Sequence, residues 1–406
     1  MENIKEKIFK IFSSDHFCSH LFLDGTIYPG TKWVPCCKAS GTKIGAESLI
    51  SHKYEDYING EFIKSLRSDL KNKKENDYCK ACTNLEKVGA ISDRIKNNLN
   101  MYKIINENNL EQQFVDIWNV YEKTGIKKGS PWHFYLFLDN TCQARCVMCD
   151  ASFSSSIEKE YANLNLPNIF LARNQTNEKV VKNFPVIFEE LKKHASSIKI
   201  LQLLGGEPTI SKDCLEILEW LVDNKYSENI FLKINTNGIV LPDKWIEVCK
   251  KFYKVQWSVS VDATGDLNTW IRYPTNWQKL QDNLKKITEQ NFYYTMINTT
   301  VHAMNVHFLP ELYQWTKEKN LPLNFVMAYS PKEITVHVLN ESQRKSLKEK
   351  YTANKEWMQV YGAVVLKLIE EHPMIDNKKL LHFIEILEKV RPTLFEKVNP
   401  YFKKLI

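Results

Sequence analysis

Three cysteines lie close together in the middle of the chain, in the segment Asn140-Thr141-Cys142-Gln143-Ala144-Arg145-Cys146-Val147-Met148-Cys149. Their spacing is C-x3-C-x2-C, and thiolates are the ligands that zinc and iron–sulfur clusters take from proteins. A [4Fe–4S] cluster that only carries electrons is held by four cysteines. Three cysteines leave one iron open to a substrate or a cofactor, so the spacing indicates a cluster that takes part in chemistry.

The residues around this loop predict an alternation of strands and helices. Six apolar runs have the length of strands, and amphipathic stretches at helical spacing lie between them. The runs are Trp132–Leu138, Ile198–Leu204, Ile230–Ile234, Val255–Val261, Tyr294–Val301 and Leu323–Ala328, and the amphipathic stretches are Asp213–Asp223, Asp243–Phe252, Trp277–Gln290 and Phe308–Lys319. This order favours an α/β fold with parallel strands, as a partial (β/α)6 barrel or an open doubly wound sheet. In both folds ligands bind at the carboxyl ends of the strands, where the Cys142 loop stands.

Composition divides the chain into three regions. Residues 1–110 are rich in lysine, asparagine and cysteine, residues 130–330 hold the strand and helix alternation, and residues 331–406 are mostly helical in pattern. The chain has 406 residues and is 43% hydrophobic, which is the composition of a folded protein. Its net charge of +7 is a mild bias for this length. The charge suits an anionic substrate and does not indicate nucleic acid binding.

The chain shows no apolar stretch of the roughly 18 residues that a membrane-spanning helix needs. Its start, MENIKEKIFKIF, is charged and amphipathic and lacks the apolar core of a signal peptide. We therefore expect a cytoplasmic protein without a membrane partner. In that reduced compartment the ten cysteines are expected to bind metal or do chemistry more often than to form disulfides.

The Cys142 loop resembles that of the radical S-adenosylmethionine (radical SAM) superfamily, whose members carry this spacing in this position. The resemblance implies that Cys142, Cys146 and Cys149 hold a catalytic [4Fe–4S] cluster whose open iron binds S-adenosylmethionine (SAM). It implies that one electron from the cluster cleaves SAM and that the resulting 5′-deoxyadenosyl radical abstracts hydrogen from a substrate. A flavodoxin- or ferredoxin-type electron donor is implied as a partner.

Further residues resemble the family's cofactor contacts at successive strand ends. Gly205-Gly206-Glu207 resembles the glycine-rich motif beside the methionine amino group; glycines allow close backbone approach, and a carboxylate can accept from an ammonium. Met148 stands where the family often has an aromatic residue, and a thioether also packs well beside adenine. The other positions implied to contact the cofactor are Asn235, Ser258, Ser260 and Asn305.

A second group of cysteines precedes the predicted barrel. The pair Cys79-Lys80-Ala81-Cys82 has spacing suited to two ligands of one metal centre. The run CKACTNLEKVGAISDR resembles the twitch and SPASM extensions of radical SAM enzymes, which bind auxiliary Fe–S clusters. The resemblance implies an auxiliary [4Fe–4S] cluster on Cys18, Cys36, Cys79 and Cys82, with Cys37 as the alternative to Cys36.

The substrate is predicted only by class. Arg272 follows the fourth strand and is a candidate to bind a carboxylate or phosphate of the substrate, although an ion-paired loop arginine is an equal reading. The resemblance implies either a peptide or a small anionic metabolite as the substrate. Cys214 and Cys249 stand at apolar positions of predicted helices and are expected to be core residues.

Zinc is the alternative metal for both groups of cysteines. Four N-terminal thiolates could hold structural zinc, and the Cys142 loop could do so if a fourth ligand lay nearby, for which His133 is the candidate. The corresponding alternative function is a zinc-stabilised binding module without redox chemistry.

Overall fold

The protein is described here by a computed structural model, which covers residues 3–28, 31–36, 46–87, 89–164, 183–328, 331–370 and 374–405. Eleven strands occur in these ranges: β1 Asp24–Tyr28, β2 Lys32–Val34, β3 Glu47–Ser48, β4 His133–Phe137, β5 Arg145–Cys146, β6 Ile200–Leu204, β7 Phe231–Thr236, β8 Lys254–Ser260, β9 Arg272–Tyr273, β10 Tyr294–Val301 and β11 Leu323–Met327.

The α-helices of the same ranges are α1 Ile4–Phe12, α2 Tyr54–Ile58, α3 Glu61–Lys71, α4 Lys80–Lys87, α5 Asp93–Glu107, α6 Glu111–Thr124, α7 Ser155–Asn163, α8 Phe184–His194, α9 Lys212–Asp223, α10 Asp243–Cys249, α11 Gly265–Ile271, α12 Trp277–Thr288, α13 Leu309–Glu318, α14 Glu341–Ala353, α15 Lys355–Trp357, α16 Ala363–Glu370, α17 Lys378–Glu388 and α18 Phe395–Val398. Among the helices of the described ranges, none is long and apolar enough to cross a lipid bilayer.

The six predicted strands form one parallel sheet. They are β4, β6, β7, β8, β10 and β11, and they lie side by side in that order. Alternate side chains of β6, β7 and β8 are buried aliphatic or aromatic residues under the covering helices, because a parallel sheet with helical crossovers has an apolar outer face. The predicted α/β fold is confirmed, and the helical pattern after residue 331 is confirmed by α14–α18.

The cysteine-rich N-terminal region shares this sheet. Strand β1 pairs in parallel with β4, from Asp24 opposite His133 to Ile27 opposite Leu136, and β2 then pairs antiparallel with β1. Strand β1 is therefore a seventh parallel strand of the sheet, and β2 is its antiparallel return. The predicted boundary near residue 110 does not correspond to a break in the sheet.

Helix α5 connects the two ends of the row of parallel strands. On one side Asn97 Nδ2 donates to Asp24 Oδ2 on β1 over 3.1 Å. On the other side Lys96 Nζ donates to Asn324 Oδ1 on β11 over 2.8 Å. A partial barrel leaves a gap between its first and last strands, and α5 lies across this gap. The space inside the curved sheet is thereby enclosed by strands on one side and by α5 on the other.

The C-terminal region packs beside the Cys142 loop. The buried Arg391 donates through Nη1 to Glu160 Oε2 on α7 over 3.1 Å and through Nη2 to the carbonyl of Arg145 over 2.9 Å. The rings of Trp270 and Phe395 lie 4.4 Å apart. The helical tail therefore supports the elements that position the loop.

Candidate active site

The three cysteines of the predicted catalytic loop lie together after the carboxyl end of β4. Cys142 and Cys146 are buried in a small cluster with Ala144, and Cys149 packs against it. Strand β5 pairs antiparallel with β9, which places Cys146 opposite Arg272. Ser156 Oγ donates to the carbonyl of Cys142 over 2.8 Å, so the start of α7 braces the loop.

Hydrogen-bond donors point at two of the sulfur atoms. Cys142 Sγ accepts from the Ala144 N–H at 3.4 Å and from Asn237 Nδ2 at 3.7 Å, and Cys146 Sγ accepts from Arg272 Nη1 at 3.8 Å. Burial raises the pKa of Cys142 to about 12, and the neighbouring Cys146 adds to the rise. Thiols in this environment ionise when a metal centre takes up the charge, and donors to the sulfurs are the groups that tune an Fe–S cluster. This donor set fits a cluster.

The geometry differs from that of a single-ion site. Within the described ranges, no group of three or more His, Cys, Asp or Glu side chains converges closely enough to hold one metal ion. The thiolates of a [4Fe–4S] cluster bind different irons and need not converge on a point. His133, the candidate fourth zinc ligand, is fully buried with Nδ1 3.7 Å from Asp24 Oδ2. It therefore lies at the opposite, amino-terminal end of β4.

The glycines after β6 allow the chain to pass close to the Cys142 loop. Gly206 has φ +47°, and a Cβ there would lie 2.5 Å from the Thr141 carbonyl oxygen. The next residue, Glu207, donates its N–H to that same oxygen over 2.8 Å. A side chain at Gly206 is excluded by both conformation and space, so the glycine pair fixes the loop after β6 against the cysteine loop.

The carboxylate of Glu207 links two strand ends. Its Oε1 accepts from Thr209 Oγ1 and Thr236 Oγ1, each over 2.7 Å, and its Oε2 accepts from the Asn237 N–H over 2.6 Å. Burial raises the pKa of Glu207, and these hydrogen bonds oppose the rise. Because a carboxylate oxygen has two acceptor directions, the described bonds leave one on Oε2. Glu207 is thus first a positioning residue for Asn237.

Replacing Glu207 by glutamine is expected to destabilise the protein. The amide nitrogen of Gln cannot accept, so at least one buried donor loses its partner at a cost of about 2 kcal/mol. Chemical denaturation of Glu207→Gln measures the loss. The control is Glu219→Gln at a partly exposed partner of Lys244, for which a change within about 0.5 kcal/mol is expected. Equal stability of the two variants would contradict the positioning role.

The cysteine loop opens on a cavity of about 950 Å³ inside the curved sheet. The residues predicted to contact the cofactor that line it are Met148, Gly205, Gly206, Glu207, Asn235, Ser258 and Ser260. Asn237 also lines it and donates to Cys142, although the sequence analysis did not single it out as a site residue. Asn237 directly follows Asn235-Thr236 at the end of a predicted strand, and this position could have indicated a role in the site.

Asn305 has a different environment. It is fully buried; its Nδ2 donates to the carbonyls of Asp262 and Thr300, each over 2.9 Å, and its Oδ1 accepts from the His302 N–H over 2.9 Å. These bonds hold the ends of β8 and β10 together. Since both polar atoms of the amide form hydrogen bonds within the protein, we do not include Asn305 among the proposed contacts to the cofactor.

Arg272 does not present a free guanidinium to a substrate. It is buried, its Nε lies 2.7 Å from Asp262 Oδ2, and its Nη1 donates to Cys146 Sγ. Burial disfavours its charge, but Asp262 and Cys146 hold the pKa of Arg272 above its ordinary value. Of the two alternatives for Arg272, this geometry matches an ion-paired loop arginine, and the side chain supports the cysteine loop.

Three of the N-terminal cysteines lie near enough to one another for their charges to interact. Burial raises the pKa of Cys18 well above its ordinary value, and the nearby Cys82 and Cys79 raise it further. The neighbouring Arg94 donates through Nη2 to Glu86 Oε2 over 2.7 Å, so two residues of the run CKACTNLEKVGAISDR interact beside the cysteine pair.

The fourth ligand predicted for this group is less defined. Cys36 follows β2 and is one of the residues that raise the pKa of Tyr57. Cys37, its alternative, lies outside the described residues. The two core predictions for cysteines are confirmed, since Cys214 and Cys249 are buried in α9 and α10.

Comparison with known structures gives distant likenesses. The chain is similar to Streptococcus suis SuiB bound to precursor peptide SuiA, at 15% identity and a TM-score of 0.41, covering 62% of this chain and 51% of that chain. It is also similar to the radical S-adenosylmethionine methyltransferase TsrM from Kitasatospora setae, at 10% identity and a TM-score of 0.34, covering 49% and 34%. The chain thus spans about half the length of the SuiB chain and about a third of the length of the TsrM chain. No curated protein matches the sequence.

A family model gives the more specific result. Residues 138–315 match the model described as the Radical SAM superfamily. The match begins at the end of β4 and includes the cysteine loop, the glycine motif and strands β6–β10. Residues 138–315 therefore form a radical SAM domain, the domain of enzymes that use SAM and a [4Fe–4S] cluster.

Proposed function

We propose that this enzyme cleaves SAM reductively at the Cys142 loop and abstracts hydrogen from a substrate held in the cavity. The observation that carries the proposal is the placement of three thiols, in C-x3-C-x2-C spacing, at the carboxyl end of β4 and on the wall of a 950 Å³ cavity. When bound, the [4Fe–4S] cluster supplies the electron that converts SAM to methionine and a 5′-deoxyadenosyl radical.

The residues of the loop have separate tasks in this proposal. Cys142, Cys146 and Cys149 hold three irons. Asn237 and Arg272 donate to two of the sulfurs and so stabilise the thiolate charge in a buried site. Because these donors belong to the ends of β7 and to β9, the sheet itself fixes the environment of the cluster.

Contacts to SAM come from the neighbouring strand ends. The remaining acceptor direction of Glu207 Oε2 and the backbone around Gly205 are available to an ammonium group. Asn235, Ser258 and Ser260 line the cavity with polar groups for the ribose and the carboxylate, and Met148 offers an apolar surface to the adenine.

The N-terminal cysteines form an auxiliary [4Fe–4S] site in this proposal. Cys18, Cys79 and Cys82 supply three ligands, and Cys36 or Cys37 supplies the fourth. The support is the mutual proximity of the first three thiols together with the positive charge of Arg94 beside them, which favours thiolates. In this division residues 1–110 carry the auxiliary site, residues 130–330 the catalytic domain and residues 331–406 the helical support.

Anaerobic purification with reconstitution of iron and sulfide tests the proposal. We expect broad visible absorbance that bleaches with dithionite, and formation of 5′-deoxyadenosine from added SAM. Cys214→Ala, which removes a core thiol outside the loop, is the control and is expected to retain both. A colourless protein with stoichiometric zinc would instead establish the zinc-stabilised binding module.

A further inference from the structure

One level of the cavity wall below the cofactor contacts carries a row of polar side chains. In the sheet register Tyr135 lies opposite Gln202, Gln202 opposite Lys233, and Lys233 opposite Gln256. All four line the cavity. An inward row of polar groups is unusual for the core of a parallel sheet, where aliphatic residues fill the interior. The row indicates a surface that is built to face a polar ligand.

Lys233 is the charged member of this row. Its side chain is only 5% exposed, and its ammonium lies 5.0 Å from the centre of the Phe231 ring. In the described part of the chain no ion pair or hydrogen bond engages that ammonium. Burial lowers the pKa of Lys233 to about 8. A buried ammonium without an anionic partner is costly, and such a group indicates that a ligand supplies the missing charge.

The other cations of the cavity wall already have partners. Lys254 Nζ donates to Glu107 Oε2 over 2.8 Å, and Arg272 Nε lies 2.7 Å from Asp262 Oδ2. Lys96 Nζ donates to Asn324 Oδ1 over 2.8 Å, and Lys103 Nζ donates to Tyr293 Oη over 2.7 Å. The charge of Asp24 acts on Lys233 from a distance, but the Asp24 carboxylate is itself held by His20 Nδ1 at 2.5 Å and by Asn97 Nδ2 at 3.1 Å. Lys233 is therefore distinguished among these cations because, within the described residues, its ammonium forms neither an ion pair nor a hydrogen bond.

We propose that Lys233 binds an anionic group of the substrate, a carboxylate or a phosphate, inside the barrel. This inference rests on the proposed function, since it assigns the lower part of the same cavity to the substrate. Gln202 flanks Lys233 in the sheet, and its amide nitrogen donates one N–H to Asn235 Oδ1 over 3.2 Å and keeps a second for a ligand. Gln256 on the other side already donates to Ser258 Oγ and Met296 Sδ. A cation beside a free amide N–H is a suitable recognition site for an anion with more than one acceptor oxygen.

The position of Lys233 also limits the size of the substrate. Lys233 stands four residues before Asn237, which contacts Cys142 Sγ. At a rise of about 3.3 Å per residue, the two positions are roughly 13 Å apart along the strand. A substrate anchored at Lys233 thus places atoms several bonds away from its anion close to the cysteine loop. This arrangement suits a small molecule with one anionic end.

Protection of Lys233 from acetylation tests the inference on the cluster-loaded enzyme. The enzyme is treated with limiting acetic anhydride in the presence of inorganic phosphate or of succinate, and each lysine is quantified by mass spectrometry. We expect one of the two anions to protect Lys233 in a saturable way. Lys199, a half-buried lysine that precedes β6 outside the cavity lining, is expected to show no protection and serves as the internal control.

Two variants complete the test. Lys233→Met, which keeps the length and removes the charge, is expected to weaken binding of the protecting anion, measured by isothermal titration calorimetry, by about tenfold or more and to leave the melting temperature equal or a few degrees higher. Lys199→Met is expected to change neither. No protection by either anion, or a clear fall in the melting temperature of Lys233→Met, would show a structural cation and overturn the inference. Because acetylation does not depend on SAM cleavage, failure of the radical chemistry would leave this readout interpretable.

Discussion

Cys142→Ala is expected to reduce reductive cleavage of SAM to background, whereas Cys79→Ala is expected to retain cleavage that is uncoupled from substrate. The first change removes one of the three thiols that the loop after β4 offers to the catalytic cluster. The second removes a thiol of the separate group with Cys18 and Cys82. The measurement is chromatographic detection of 5′-deoxyadenosine from SAM and dithionite, together with the iron content, which each variant lowers by about four atoms per chain.

The comparison depends on both variants remaining folded. Far-ultraviolet circular dichroism and Cys214→Ala, which removes a buried thiol of α9, control for a general loss of cysteine packing. If Cys142→Ala and Cys79→Ala lose cleavage to the same extent, the proposed division between a catalytic and an auxiliary centre is wrong. If Cys79→Ala keeps its full iron content, the N-terminal thiols do not hold a cluster.

Among substitutions that add a single methyl group near the site, Gly206→Ala is expected to lower the free energy of unfolding most. The left-handed conformation at φ +47° costs an L-residue roughly 1–2 kcal/mol. The added Cβ also meets the Thr141 carbonyl oxygen at 2.5 Å and the Asp139 carbonyl oxygen at 3.1 Å. Both are backbone atoms, which cannot rotate away as a side chain can. We expect a loss of about 3 kcal/mol or more in the free energy of unfolding, with displacement of the cysteine loop.

Gly125→Ala is the matched control. Gly125 has φ +68° at the end of α6, and nothing lies within 4 Å of a Cβ built there. It therefore reports the conformational cost alone, about 1–2 kcal/mol. Denaturant unfolding of the two variants separates the conformational cost from the clash, and SAM binding by equilibrium dialysis should be lost only in Gly206→Ala. Equal destabilisation of both would show that the close approach of the two loops is not required.

The cysteine loop and the strand ladder followed from the sequence because both are encoded locally. The spacing of Cys142, Cys146 and Cys149 is a property of ten consecutive residues, and the six strands are apolar runs bounded by amphipathic helices. Parallel strands joined by helices bring their carboxyl ends to one edge. The meeting of Gly206, Asn235 and Ser260 around one cavity could therefore be expected before the structure was known.

The tertiary structure decided which charged and polar side chains are free to act. Arg272 and Asn305 follow strand ends just as the cofactor residues do, but Asp262 and the neighbouring loops take up their polar groups. The sequence did not predict a role for Lys233, because a lysine in a strand most often points to solvent. The side chain of Lys233 lines the enclosed cavity only because the sheet is curved and α5 covers its open side. Local spacing determines which groups can bind a metal. Pairing between residues far apart in the chain determines which charged groups remain available to a ligand, because the environment of a charge depends on what the completed fold packs against it.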